Sequence, residues 1–237
     1  MKKLLQNLTS EGNQKPMKKS YYLVPFVALI VLLAVCIAVG QGSSWAAEKA
    51  SVVGTAMRGT NAVEYIGVIK QEGPEFMAIG YLTYVRGLDA QDLFTNPFAP
   101  DASTARFTFV GNANIVSRAQ VGAVTQLDTS GILKIYFNES GGADFSDIYS
   151  FSSGLEIASF DARFYNVLTV IAPNQGVTSG IVDTVQRNAH RFVLDGRKLQ
   201  LGHPRLIQRV TISGGATRSQ ADPPVSITEF SAAAVTP

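Results

Sequence analysis

Cysteine is nearly absent from this 237-residue chain: the single one, Cys36, lies inside an apolar N-terminal run. Beyond that run there is no thiol, no disulfide and no cysteine-based metal site, so stability must come from core burial. Histidine is almost as scarce, with His190 and His203 alone. There is no His-x-His, no His-Glu-x-x-His and no Gly-x-Ser-x-Gly. Spacing therefore supplies neither a zinc site nor a nucleophile elbow, and no metal or cofactor is expected. His190 with Asp183 or Asp195 could form part of a base relay, but such a constellation needs a third placed group. A strong charge of one sign is missing too. The first 47 residues hold five lysines and one acid, so 15 basic and 17 acidic residues remain beyond them, a net charge of about −2. That near-neutral mixture gives no electrostatic footprint for nucleic acid.

What the chain does have is a leader. Tyr21 to Val39 is apolar apart from Pro25, follows Lys15, Lys18 and Lys19, and runs into Gly42-Ser43-Ser44-Trp45-Ala46-Ala47. These are the positive region, apolar region and small-residue site of a secretory signal. Met17-Lys18-Lys19 would make an ordinary signal start, so Met17 is the expected initiator and 1–16 an extension. Cleavage after Ala46, with small Ser44 two residues before, would start the mature chain at Ala47; cleavage after Ala47 would start it at Glu48. The rival is an uncleaved anchor, since about 19 apolar residues approach the length of a membrane-spanning helix. The lysines before it would keep the N-terminus inside. A lipoprotein signal is disfavoured by Val35 before Cys36, and the absence of twin arginines leaves folded export unindicated. Either main reading places the domain across the cytoplasmic membrane, periplasmic or extracellular, with residues 21–39 the only membrane contact if they are retained.

Beyond the leader, strands and turns follow one another. Val63–Gln71 and Phe76–Arg86 read as a hairpin around Gly73-Pro74. Leu88–Asp101 reads as a long connection with one helical turn at Asp89–Phe94. Arg106–Val110 resumes the strands. Ala119–Leu127 and Ile132–Asn138 flank Asp128-Thr129-Ser130-Gly131, which the composition predicts to be a hairpin loop. Asn138–Asp147 is a polar loop. Ile148–Phe151 and Leu155–Ala158 are short strand candidates. Ala162–Ile171 places Phe164, Leu168 and Val170 on one face and Arg163, Tyr165 and Thr169 on the other. Val177–Gln186 follows the Pro173–Gly176 turn. Arg191–Leu194 and Arg197–Leu201 flank Asp195-Gly196, the strongest local hairpin signal in the chain. Arg205–Ser213 is one more strand.

Roughly nine to eleven strands with short turns and no lasting helical period predict an all-β fold. The candidates are a single antiparallel barrel or a β-sandwich. Consecutive hairpins favour an up-and-down barrel, similar in kind to lipocalin-like and dirigent-like barrels, and that likeness of architecture carries no function. The expected organisation is a signal or anchor helix over 1–47, the β domain over 48–213, and a Gly-, Ser-, Pro- and Ala-rich tail over 214–237. In that tail only Val225–Phe230 could pair again.

Candidate chemistry is thin. The loop Asn138 to Asp147 offers Glu139, Asp144 and Asp147 as calcium oxygens, but without the spacing of a twelve-residue calcium loop. Asn138-Glu139-Ser140 is a glycosylation sequon by pattern, discounted because the lysine-flanked leader is bacterial in type. Aromatics on predicted strands are the remaining signal. They read either as core packing or as an aromatic-lined pocket with a few polar groups. In the second case Tyr84, Arg86, Arg106, Tyr136, Arg163 and Tyr165 are the ligand-binding candidates, with the arginines as anion sites. Arginine outnumbers lysine 11 to 4 beyond the leader, which suits carboxylate or phosphate recognition and equally reflects genomic composition. Three functions stay open. The first is an exported, non-catalytic domain holding a small apolar or amphipathic ligand. The second is a cell-envelope structural protein that self-associates, its doubly apolar strands covered by a partner. The third is an isomerase or cyclase working inside a barrel, with Glu64 or Glu156 as a buried carboxylate of raised pKa.

Overall fold

The computed structural model describes residues 49–237; the expected Tyr21–Val39 helix and the cleavage site lie outside the described residues. The elements are β1 (Ser51–Val53), β2 (Asn61–Glu72), β3 (Glu75–Val85), α1 (Ala90–Leu93), β4 (Phe107–Val121), β5 (Val124–Phe137), a 3-10 helix (Ile148–Ser152), β6 (Leu155–Ala172), β7 (Gln175–Ala189), β8 (Arg191–Leu194), β9 (Arg197–Leu201), β10 (Ile207–Ala221) and β11 (Pro224–Val235). Eight of the strands close an antiparallel barrel in the order β10-β11-β2-β3-β4-β5-β6-β7, and β1-β9-β8 form a separate three-stranded sheet. Of barrel and sandwich, the barrel is the architecture observed. No helix among the described residues is long and apolar enough to cross a membrane.

Alternation builds the wall. In β10, Val210 and Ile212 are buried while Arg209, Thr211 and Ser213 are exposed, the period-2 pattern of a strand with one face inward. Lys134, Asp161, Arg163, Asp183 and Arg209 fall on the outward face, where a membrane-spanning barrel would carry an apolar band. Inside, Phe109 packs edge-on to Tyr65 at 5.7 Å between centroids and lies 6.2 Å from Phe230. Gly67 and Gly80 are paired across β2 and β3, and a Cβ on either would come within 3 Å of Phe109 Cζ. Two opposed glycines thus make the hollow that the Phe109 ring fills.

Strand direction divides the barrel into two ends. The hairpins β2–β3, β4–β5, β6–β7 and β10–β11 all turn at one end, and the long connections lie at the other. The long-connection end is plugged. Phe192 of β8 packs on Phe107 and Phe137 of the wall, with centroids 5.7 and 5.0 Å away. Arg106 pairs with Asp195 at 3.4 Å, and Arg197 pairs with Asp92 of α1. Gln186, buried on β7, donates to Leu201 O at 2.8 Å and Asn188 O at 2.9 Å and accepts from His203 N at 3.1 Å. Gln208 donates to Gly54 O at 3.3 Å. Buried amides that satisfy backbone groups on two elements fix the plug in one place. Outside β3 and β4, the 3-10 helix and its loop cover Ile79 with Phe151, Ala102 and Ala143, held by Thr108 Oγ1 donating to Phe151 O at 2.7 Å.

The sequence reading needs four corrections. The turn between β4 and β5 is at Gly122, with φ +57°, and β5 runs straight through Asp128–Gly131. Gly131 serves close approach there: a Cβ would sit 1.9 Å from Asn112 O. Ile148–Phe151 is helical, because the Asp147 carboxylate caps Tyr149 N. Leu155–Ala158 and Ala162–Ile171 are parts of one 18-residue strand. The segment 214–237, expected as a tail, is the second half of β10 and all of β11, which closes the barrel on β2. Its small residues are outward or tightly packed wall positions; a Cβ on Gly214 would meet Glu229 O at 2.1 Å.

Candidate functional site

At the hairpin end the wall outruns its own core. The last six residues of β4 and the last five of β10 are exposed, because the strands project past the packed aromatics. Between them a cavity of about 140 Å³ opens, and beneath it lies a second, apolar one of about 50 Å³. Ile69 and Ile212 line both, so the two form one column inside the barrel.

Register explains the lining. Arg118, Leu127 and Asn166 are successive partners across β4, β5 and β6. Arg218, Ser226, Gln71 and Phe76 are successive partners across β10, β11, β2 and β3. All seven line the upper cavity. The two arginines stand on β4 and β10, four strands apart in the ring of eight and hence on opposite walls. Each is three residues from its hairpin. Arg218 donates from Nε and Nη2 to Asn174 Oδ1, both at 3.3 Å. The Arg118 side chain has no hydrogen bond or ion pair among the described residues. Ser226 donates to Gln71 Oε1 at 3.1 Å, and Gln71 donates to Gly73 O at 2.9 Å. Not one aspartate or glutamate lines the cavity. Glu72, Glu75 and Asp222 sit near the hairpin turns and are exposed.

None of the six residues expected from the sequence lines this column. Arg163 and Tyr165 are exposed on the outward face of β6. Tyr136 is outward because Ile135 and Phe137 are the buried positions on either side. Partial burial pushes its phenol up, opposed by the Lys134 charge. Tyr84 and Arg86 are half-buried at the plugged end of β3, where Arg86 N donates to Ala62 O. Arg106 is committed to Asp195. The physical reason is shared: the inward face of each strand is the more apolar one, and these residues belong to the other face or to strand ends. The anion candidates and the cavity are therefore separate.

Other candidates are taken up by the fold. Lys134 bonds Glu156 at 2.8 Å and holds its carboxyl below the ordinary value, opposite to the raised value expected for a base there. Glu64 accepts from Asn61 at 2.8 Å. Asp183 is bonded by Arg209 at 2.8 and 3.2 Å and Asp195 by Arg106, so neither serves His190. His203 Nδ1 lies 3.1 Å from Pro204 O. Asp144 and Asp147 accept from the backbone N–H groups of Ser146 and Tyr149, and no cluster of three metal-ligating side chains occurs among the described residues.

Comparison with family models, with curated proteins and with solved structures finds no match to this chain. Function must therefore be argued from the cavity. Its chemistry is simple: an apolar column, a mouth with amide and hydroxyl groups, two arginines and no acid. It can hold and orient a small molecule, and it presents no nucleophile–base pair.

Residues missed in the sequence had a signal. Asn166 falls between Phe164 and Leu168 on the same face of β6, a polar residue in an apolar row. Arg218 continues the step-of-two row Val210, Ile212, Gly214, Ala216. A polar residue on the core-facing register marks a place where apolar packing stops, at the mouth for Asn166 and Arg218 and at the plug for Gln186 and Gln208.

Proposed function

We propose that this is a binding barrel whose interior holds a small apolar or amphipathic ligand, exported by its leader and without catalysis of its own. The observation that supports the reading is the column itself, apolar below and lined by both apolar and polar side chains at its hairpin-end mouth, the usual make-up of a small-molecule site. A cavity of about 150 Å³ takes one benzene, so the ligand is about that size, or a short chain reaching through both cavities. Native mass spectrometry of protein purified from its own host tests it, together with methyl NMR during titration with 1-octanol. A bound mass, or octanol shifts at Leu127, Leu168 and Ile212 that are lost in Ala216→Trp, supports the reading. Empty protein with unmoved methyls overturns it.

A second reading draws on the outer wall. Tyr165 and Ile181 are cross-strand partners, as are Val185 and Ile207. All four are exposed, Ile207 to 54%. This outward stripe on β6, β7 and β10 is what self-association in the cell envelope would use. Sedimentation decides it: a strict monomer at high concentration counts against it.

A further inference from the structure

We infer that the ligand is a short amphipathic anion, a carboxylate on a chain or ring of about ten heavy atoms, with its charge at the hairpin-end mouth and its apolar part in the column. This rests on the binding reading above and goes one step beyond it, to the sign of the ligand's charge.

The mouth has two cationic side chains and no carboxylate in its lining. Four of the other arginines are neutralised, Arg106 by Asp195, Arg187 by Asp161, Arg197 by Asp92 and Arg209 by Asp183, whereas outward Arg163 on β6 stands in open solvent and lines neither cavity. Arg218 instead meets an amide oxygen, which holds the guanidinium in place and leaves its charge uncompensated. The Arg118 side chain faces it from the opposite wall with no partner among the described residues. Two like charges across a partly enclosed mouth repel, and an anion between them removes that repulsion. The guanidinium fork also matches a carboxylate, forming charge-assisted hydrogen bonds about twice as strong as neutral ones. Asn166, on the row from Arg118, adds a neutral donor at the same level, while the Ser226 hydroxyl is committed to Gln71 Oε1. Below them the lining turns apolar at Ile69 and Ile212 and, in the lower cavity, at Phe109, Leu133 and Val182, which selects against a fully hydrated ion. Size follows from the volumes: about 140 and 50 Å³ admit a medium-length chain and exclude a long lipid tail.

The test is calorimetric titration of the full domain with octanoate and, separately, with 1-octanol of equal chain length at neutral pH. The comparison is repeated in Arg118→Gln/Arg218→Gln. The expected result is octanoate at least ten-fold tighter than octanol in the parent protein. In the double variant the preference for octanoate over octanol is lost. Ala216→Trp should abolish both. Equal affinities in the parent, or a preference that survives in the double variant, overturns the anion inference and leaves the binding barrel standing. Failure of both probes to bind overturns the barrel reading, and the inference with it.

Discussion

The two ends of this barrel are made from the same eight strands and solve opposite problems. At the long-connection end the chain spends α1, β1, β8 and β9 on closure. At the hairpin end four tight turns leave the wall unfilled. The plug is over-determined: three phenylalanines in mutual contact, two arginine–aspartate pairs and two buried glutamines all fix it. The mouth has one amide–arginine contact, the Ser226–Gln71–Gly73 hydrogen bonds and an arginine whose side chain has no partner among the described residues. In a domain with no disulfide to lean on, one end is closed by packed side chains and ion pairs and the other is left open.

Truncation should show this contrast at its largest. Phe107 is fully buried and touches both Phe137 and Phe192. Phe107→Ala should cost about 3–5 kcal/mol by transfer and cavity formation. Leu168→Ala at the mouth should cost less than about 2 kcal/mol, because Leu168 is half-buried and already borders open space. Urea denaturation of the two variants checks it; equal losses would mean that the mouth is core.

The polar staple comes next. Gln186→Leu keeps the volume but leaves Leu201 O, Asn188 O and His203 N without their side-chain partner. The expected loss is about 1–3 kcal/mol, the penalty for unsatisfied buried groups. Amide hydrogen exchange should quicken first in β9 and β1 if the glutamine holds the plug, and uniformly if it does not.

Legibility in the sequence followed the same division. The plug's hairpin could be read at once, because Asp195-Gly196 is a purely local signal: both residues have positive φ. The barrel was legible as a series of alternating strands. What could not be read is long-range. Gly131 resembles a turn residue until β4 lies against it, and 214–237 resembles a tail until β2 is there to pair with it. The mouth fared worst. Arg118 and Arg218 are 100 positions apart, and only closure of the ring makes them face each other. Arg106 stands just before β4 and belongs to the plug through Asp195.

A smaller effect sharpens the comparison through pH. Lys134 holds the Glu156 carboxyl below its ordinary value. A depressed carboxyl stabilises the fold above its unfolded pKa and loses that contribution as pH falls through the folded one. Asp161 and Asp183 act in the same direction through Arg187 and Arg209, though both are more than half exposed and solvent screens them. Lys134→Met should therefore lower stability at neutral pH by less than about 1 kcal/mol. The gap from the parent should close on the acid side, below the ordinary glutamate range, in urea midpoints followed against pH. A gap that persists at the lowest pH would assign the loss to packing of the lysine stem.

The smallest effect bears most directly on what the mouth is for. Arg118→Gln/Arg218→Gln should change folding stability by no more than about 0.5 kcal/mol, the range of surface substitutions away from structural features. Arg118 gives up no hydrogen bond among the described residues. Arg218 gives up two long contacts to one amide oxygen, partly remade by the glutamine amide, and the loss of two like charges across the mouth offsets what remains. An engineered change at the plug of comparable charge, Arg197→Gln, breaks the pair with nearly buried Asp92 and should cost more. Thermal melts of the two variants therefore rank the ends by purpose. If the mouth arginines prove as costly as Arg197, they belong to the fold, and the charge at the mouth has a structural explanation that needs no ligand. If they are free to remove, their placement opposite one another above an apolar column is explained by what enters it.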